Sequence, residues 1–590
     1  MPVELLGRTD FPPITDPCYR LTLPGYGFFW FVLGEAGQLG SWHQPVTEPL
    51  PEFITVVLQT GSKAITESRG VRELAQQVLP EYLPKQRWFA AKDRGIEAVR
   101  LASSAELRGR ASNFLLTELN VSLAGGEQQR YLLPFAVAWG EENFAAGSAL
   151  LPYALAKARR GPMVGVLYDA THSDDFARTL LDLMHAERDL PAGGGLLQAR
   201  AGSRRDDLQI PAEAAVRRLG AEQSNSSVLV EERVMLKVYR RLQEGIHPEV
   251  EIGRFLTEVA GFASTPPFLG AIEHVAADHV PTALAAAFGF VANQGDGWRW
   301  TLDHLDRALE ELRHTPEADR PPVEERHELY LAVARLLGRR TAEMHLALAV
   351  DTDDPAFARE PVEQADLRAW LEESRVQIDA GFAVLEQLRG KAGESLLPDI
   401  ETALEARPQV EAALATLEEV PPGLMKTRLH GDYHLGQVLV AKGDIMIIDF
   451  EGEPARPLGE RRTKGTPLKD VAGMLRSFDY AAWAGVLRFA ESDPGAVDQL
   501  MAPALAWRDL ACAAFMEEYR TAIDGCPSWP GDPDAAQSLL RLFVLQKLLY
   551  EVGYEAANRP SWLRIPLRGI RELFGPNDPD REIAGDAVAG

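Results

Sequence analysis

Two aspartates, Asp432 and Asp449, bracket the stretch HGDYHLGQVLVAKGDIMIIDF, with Gln437 five residues after the first. Val438–Val440 and Ile445–Ile448 are apolar runs, and Lys442-Gly443 between them has turn chemistry, so the segment reads as a hairpin. A hairpin returns the chain on itself. Asp432, before the first strand, and Asp449, after the second, therefore stand at one edge. Two carboxylates and an amide suit phosphoryl transfer. One carboxylate accepts the hydroxyl proton of the acceptor, and the other, with an amide oxygen, holds Mg²⁺ through hard oxygen ligands. On this reading Asp432 is the catalytic base, and Gln437 and Asp449 are the metal ligands.

The spacing follows the pattern His-x-Asp-x-x-x-x-Asn then Asp-Phe-Gly, with His430 in its first place. Two letters differ: Gln437 stands for Asn, and Glu451 for the Gly after Phe450. Either Asp taken singly is as well explained as a turn residue or helix cap; the joint pattern with its hairpin points to chemistry. His434 reads as a histidine bracing the loop rather than a base.

Such a site needs a cation on the nucleotide phosphates, paired to a helix carboxylate. Upstream, SSVLVEERVMLKVY reads as a second hairpin, with Met235, Lys237 and Tyr239 on one strand face. Lys237 inside an apolar strand is a phosphate ligand or an edge-strand charge that deters aggregation. The following helix opens at Pro248, a favoured first position, and buries a stripe of Ile252, Phe255, Leu256 and Val259. Glu249 and Glu251 flank the stripe, and either could reach Lys237; Glu251 is preferred. Ser224, Asn225, Ser226 and Ser227 hold the place of a phosphate-covering loop or form a plain polar turn. Phe290, Val291 and Ala292 fall where an interlobe hinge would meet adenine.

A chain of 590 residues exceeds one hydrophobic core, and its 46% hydrophobic and 25% charged composition is that of a packed protein. Net charge is −25, which argues against nucleic acid or an anionic membrane as partner. Three scattered cysteines fit a reducing cytoplasm, and no apolar run is long enough to span a bilayer. The expected class is α+β. Residues 1–45 are β and Pro-bounded, 60–155 are mixed, 156–295 are strand-rich, 296–576 are helical apart from the hairpin, and 577–590 are a polar tail. On the late helix Lys547, Tyr550, Glu551, Tyr554 and Asn558 recur at helical spacing, as a sugar-binding wall or an ordinary solvated face. Arg461, Arg462 and Lys464 either touch phosphates or are exposed. Arg87-Trp88-Phe89 is expected to pack the mixed module onto the strand-rich part.

LPEYLPKQRWFAAKDRGI, EQSNSSVLV, FVANQGDGW, HGDYHLGQVL, IIDFEGEPARPLGERRTKGTPLKDVAGMLRSFDYAA and YEAANRPSWLRIPL occur in order across roughly residues 65–575. Together they resemble bacterial maltokinases, of the aminoglycoside-phosphotransferase-like branch of the kinase fold. The resemblance implies a bilobal protein-kinase-like fold: an N-terminal cap (60–155), a strand-rich N-lobe (156–295) and a helical C-lobe (296–576). It implies ATP and Mg²⁺, and phosphorylation of maltose at its anomeric hydroxyl to maltose 1-phosphate, which feeds α-glucan (glycogen) synthesis. Gln437 and the Glu-Gly-Glu after Phe450 are similar to family traits. Under it Lys237, Glu251, Ser224–Ser227 and Phe290–Ala292 bind nucleotide, and His430, Lys547, Tyr550, Glu551, Tyr554 and Asn558 bind sugar.

VELLGRTDFPPITDPCYRLTLPGYGFFWFVL resembles the last strands of a trehalose synthase, which implies a fused or separate synthase partner and no synthase activity here. Two other readings stand beside maltose phosphorylation. One is a kinase of the same fold acting on an aminoglycoside, choline or another sugar. The other is a non-catalytic scaffold for the synthase, which the intact Asp432, Gln437, Asp449 and Lys237 argue against.

Overall fold

The computed structural model describes residues 73–574 apart from a few short internal breaks, together with 53–58 and three short strands near the N-terminus. Those strands, Pro2–Glu4, Thr9–Asp10 and Phe31–Leu33, form a small antiparallel sheet with the first in the centre. The rest of the expected N-terminal β module and the tail lie outside the described residues, as does Ser224.

Two larger sheets follow. The first has eight strands. Its body is built from Ile96–Arg108, Asn113–Leu123, Gln128–Leu132, Phe135–Trp139, Ala154–Arg160 and Met163–Asp169. The sequence reading assigned the last two of these to the N-lobe, beyond residue 155. They pair inside the first sheet instead, Val166 opposite both Ala138 and Lys157. The alternation of apolar residues was sound, but alternation does not say which sheet a strand joins.

The second sheet is antiparallel and seven-stranded. Its centre is Phe268–Ala276, Pro281–Gly289, Val234–Tyr239 and Asn225–Val230. The helix Asp174–His185 contributes Phe176, Leu180, Leu181 and Met184 to a core whose other members come from both sheets. Ser173 caps that helix, its hydroxyl accepting from the amide of Phe176.

The two sheets share a chain segment. Val234–Tyr239 leaves the second sheet and, one residue later, Arg241–Leu242 becomes the edge of the first, paired with Tyr131 and Arg130. Arg240 is the joint, and it is fully buried. Its guanidinium pairs with Asp169 at 2.6 Å, donates to the Thr171 hydroxyl and the Leu132 carbonyl, and donates from Nε to Ser226 Oγ at 2.7 Å. Trp88 lies over it at 4.7 Å, as expected for a segment that packs one module on the other.

The remainder is helical around one large core. Long helices Val323–Leu348, Gln364–Arg389, Leu468–Ala490, Ala496–Ile523 and Pro533–Asn558 form this part, and the hairpin Val438–Ala441/Asp444–Ile447, which packs on Gly297–His314 and Val323–Leu348, pairs as expected, Val438 opposite Ile447. Lys442 and Gly443 both have positive φ, the backbone of a two-residue hairpin turn. No described helix is long and apolar enough to cross a membrane.

Because Arg240 and Asp169 are both wholly buried, Arg240→Met leaves an uncompensated carboxylate. Equilibrium denaturation is expected to show a loss of about 3–5 kcal/mol, the usual cost of breaking a buried pair from one side.

Candidate active site

The lysine strand and the hairpin meet at a buried charge cluster. Lys237 Nζ lies 2.6 Å from Glu249 Oε1 and 2.9 Å from Asp449 Oδ1. Tyr239, two residues on and on the same face, donates its hydroxyl to the other oxygen of Glu249 at 2.7 Å. Period-2 alternation therefore delivers both donors to one carboxylate. Glu249 is almost completely buried, and burial holds its pKa above the ordinary value despite the lysine.

This corrects the pairing preferred from sequence. Glu251 does not reach Lys237; it takes Arg462 (2.6 Å) and Arg428 (2.6 Å) from the helical lobe. Burial opposes its ionisation, but the two guanidiniums outweigh it and hold its pKa low. Glu249 sits three residues before Ile252 and seven before Leu256, on the buried stripe, whereas Glu251 is two positions round the helix. Val259, expected in the stripe, is 58% exposed because the helix ends at Glu258.

Asp449 has φ +67°, an unusual backbone for a non-glycine residue that marks a constrained functional position. Burial raises its pKa and Lys237 more than offsets this, with help from a hydrogen bond to Gln437, so the carboxylate stays ionised. Gln437 is in a short 3₁₀ turn ahead of the hairpin, and its carbonyl accepts from Ile448, which brings the expected amide–carboxylate pair together. Glu451 completes the cluster: carboxylate oxygens of Glu249, Asp449 and Glu451 lie within 4.8 Å of one another. Burial and the two neighbouring carboxylates push Glu451 up to about 8. Asn225 donates to it at 2.9 Å. The sequence reading gave Glu451 no role beyond a departure from the pattern and a family trait; its place two residues after Asp449 was the available signal.

Of the Ser/Asn segment, Asn225 and Ser227 are on the face of Lys237, with Ser227 directly opposite it. Ser226 points the other way and is spent on Arg240, so its side chain is no phosphate ligand. The expected hinge does connect the lobes. Phe290 N donates to Arg233 O, while Gln294 N and Gly295 O bond the backbone of Val440 on the hairpin.

Asp432 opens onto a second feature, a 640 Å³ cleft in the helical lobe. That volume is within the ~300–1,000 Å³ typical of small-ligand sites. Trp370, Phe543 and Tyr550 give it aromatic walls, and Glu373, Glu453, Lys469 and Lys547 give it charge. Tyr550 donates to Glu453, and burial followed by the charges of Glu453 and Asp432 pushes its pKa to about 12.

Of the residues read from the late helix as a sugar wall, Lys547 and Tyr550 line this cleft. Tyr554 stacks on Tyr550 at 6.2 Å outside the cleft lining. Glu551 turns away from the cleft and is buried against Arg476 at 2.7 Å inside the core. Asn558 is two turns further along and donates to Tyr554 O at the helix end. A single face read from i, i+3, i+4 spacing merged two directions, because Glu551 lies about 100° round the helix from Tyr550.

His430 is likewise structural. Its ring nitrogens contact Ile448 O at 2.9 Å and the Asp432 amide at 3.4 Å, and it is 1% exposed, so it braces the loop instead of binding sugar. His434 braces too, its Nδ1 accepting from Gly436 N at 3.0 Å. Behind them is a residue to which the sequence reading gave no role. Asp470, near the start of the helix Leu468–Ala490, accepts from the amides of His430 (2.8 Å) and Gly431 (2.9 Å). Gly431 has φ +85°, and a Cβ there would meet Gly452 Cα at 3.3 Å, so the Asp432 and Asp449 loops touch where both are glycine.

Comparison with known proteins agrees with this geometry. The sequence model of the maltokinase N-terminal cap domain matches residues 82–173, that of the phosphotransferase enzyme family (APH) matches 215–500, and that of the maltogenic amylase C-terminal domain matches 1–30. A glucosamine kinase from Streptacidiphilus jiangxiensis is 28% identical over 355 residues, 60% of this chain and 72% of that protein. One from Mycolicibacterium smegmatis is 29% identical over 367 residues, 61% and 79%. A solved glucosamine kinase in complex with glucosamine, ADP and inorganic phosphate superposes with TM-score 0.57 at 23% identity, covering 85% of this chain and 98% of that one. A second crystal form gives 0.58 at 22%, covering 85% and 99%. The fold is kinase-like, and the chain is similar over residues 215–500 to the APH phosphotransferase family and over 82–173 to the maltokinase-type cap.

Two outcomes test the site. Glu249→Gln should raise the nucleotide KM and lower kcat/KM by about 10²-fold, while Glu251→Gln should chiefly reduce stability; equal kinetic effects would contradict the pairing. Asp470→Ala strands two buried amides and should cost about 3 kcal/mol at neutral pH. Burial opposes Asp470 ionisation, but His345 and the loop amides hold its pKa below the ordinary 3.8. Its stabilisation is therefore complete above that value and disappears as pH falls through the lower folded one, so denaturation curves of variant and parent should converge in strong acid.

Proposed function

We propose that this phosphotransferase transfers the γ-phosphoryl group of ATP to the anomeric hydroxyl of maltose. The observation that carries the reaction class is the placement of Asp432 on the wall of the acceptor cleft, beside the Lys237–Glu249–Asp449 cluster. Asp432 orients the C1 hydroxyl and takes its proton as the oxygen bonds to the γ-phosphorus. The bond from the γ-phosphorus to the β–γ bridging oxygen breaks, and ADP leaves with that oxygen. Lys237 holds the nucleotide phosphates, and Glu249 holds Lys237. Asn225 and Ser227 border the phosphates on the strand side, and Phe290–Ala292 line the adenine side.

Carboxylate oxygens of Asp449, Glu451 and Glu249 lie within 4.8 Å of one another, Gln437 hydrogen-bonds Asp449, and the low pKa of Asp449 suits a hard cation. Asp449, Gln437 and Glu451 would hold Mg²⁺, which when bound supplies positive charge for the phosphates.

Maltose is favoured by the cap match at 82–173, by the amylase-type segment at 1–30, and by a cleft of drug-like rather than minimal volume. Trp370, Phe543 and Tyr550 suit sugar faces, with Lys547 and Glu453 as polar contacts. The product would be maltose 1-phosphate, a donor for α-glucan synthesis that links the chain to trehalose metabolism. A second reading, an amino-sugar acceptor, is favoured by the two relatives named glucosamine kinase and by the carboxylates Glu373 and Glu453 in the cleft.

³¹P NMR of the protein with ATP and Mg²⁺ and either maltose or glucosamine decides between them. A maltose 1-phosphate signal that disappears in Asp432→Ala is expected. A signal with glucosamine alone would transfer the assignment to the amino sugar, and activity retained in Asp432→Ala would remove Asp432 as base.

A further inference from the structure

A second cavity, of 400 Å³, opens where the cap meets both kinase lobes. Its walls come from three separate parts of the chain. Arg87 and Lys92 belong to the cap, Arg241 to the strand shared by the two sheets, and Arg461 to the segment after the hairpin. The floor is shared with the phosphotransfer centre, for Asn225, Tyr239 and Glu451 line it. Arg461 also lines the acceptor cleft, so it stands between the two cavities.

The charge of this cavity is anomalous. The chain has 86 acidic residues against 61 basic ones. None of the four cations here makes a salt bridge with a described residue. Arg87 donates to the Gly220 carbonyl, and Arg461 donates to the Arg456 and Pro454 carbonyls. Two acids, Asp93 and Glu451, line the same space, and the second is engaged by Asn225. His247, its ring tilted against Tyr239 with centroids 4.2 Å apart, also lines it and has a buried Nδ1 with no hydrogen-bond partner among the described residues. Four cations without a salt-bridge partner among the described residues converge on one concave space and focus potential toward an anion, and guanidiniums match phosphate oxygens in particular.

We propose that this cavity is a phosphate-binding site distinct from the nucleotide cradle, completed only when the cap is docked. Its ligand is a phosphate dianion, free or carried on the phosphorylated sugar. The assignment is independent of which sugar is the acceptor. Through Arg461 and Asn225 its occupancy bears on both the acceptor cleft and the phosphotransfer centre, so product would accumulate where it restrains turnover.

Calorimetric titration of the full-length protein tests this. Binding of ADP with Mg²⁺ is measured first, so that failure of the kinase reading is seen separately. Inorganic phosphate, and then the sugar phosphate formed by the enzyme, is titrated into protein saturated with a non-hydrolysable ATP analogue. Saturable binding that persists with the analogue, and that Lys92→Glu and Arg241→Glu each weaken by roughly tenfold, is the expected result. Tighter binding of the sugar phosphate would identify product as the occupant, and equal binding would identify free phosphate. Displacement by the triphosphate analogue would assign the anion to the nucleotide site and overturn the proposal. So would binding that neither substitution alters, or none at all.

Discussion

Lys237 is a buried ammonium, and its burial is tolerable only with two carboxylates in contact. One comes from the helix after its own strand and the other from a hairpin more than two hundred residues away. This requirement fixes the relative position of the strand-rich and helical lobes. It also fixes the chemistry, because the groups that neutralise the lysine in the free protein are those that a nucleotide and a cation would share. Glu451, pushed toward its neutral form by the same crowding, is the group whose charge state the arrival of a cation would change.

The cap is built into this arrangement instead of being hung beside it. The strand that presents Lys237 continues into the cap sheet, and Arg240 at the crossing binds the cap through Asp169 and the neighbouring strand through Ser226. A shift of the cap therefore moves the strands around Lys237. The helical lobe has an analogous pin in Asp470, whose carboxylate sets the loop carrying Asp432. Two buried ionic groups thus hold the two halves of the site.

Much of this was legible in residue order. The spacing of Asp432, Gln437 and Asp449 and the turn at Lys442-Gly443 gave the hairpin and its edge. Alternation along Met235-Leu-Lys-Val-Tyr239 gave the face of the lysine. What sequence could not separate were neighbours on helices that point in different directions. Glu249 shares the phase of Ile252 and Leu256, so stricter phasing would have chosen it over Glu251; the preference failed by treating both as flanking. Glu551 was grouped with Tyr550 although a core arginine, Arg476, awaited it from another helix. Asp470 had no local signature at all, since a carboxylate that accepts backbone amides forty residues away is defined by tertiary contact. Sheet membership beyond residue 155 was hidden for the same reason.

The account rests on Asp449 serving nucleotide binding through a divalent cation as well as through Lys237. The most direct measurement is the affinity for ADP, by calorimetry, with and without Mg²⁺, in the parent and in Asp449→Asn. The account predicts that Mg²⁺ strengthens ADP binding by about tenfold or more in the parent and has little effect in the variant. An undiminished Mg²⁺ effect in Asp449→Asn would contradict it, and would place the cation on other residues.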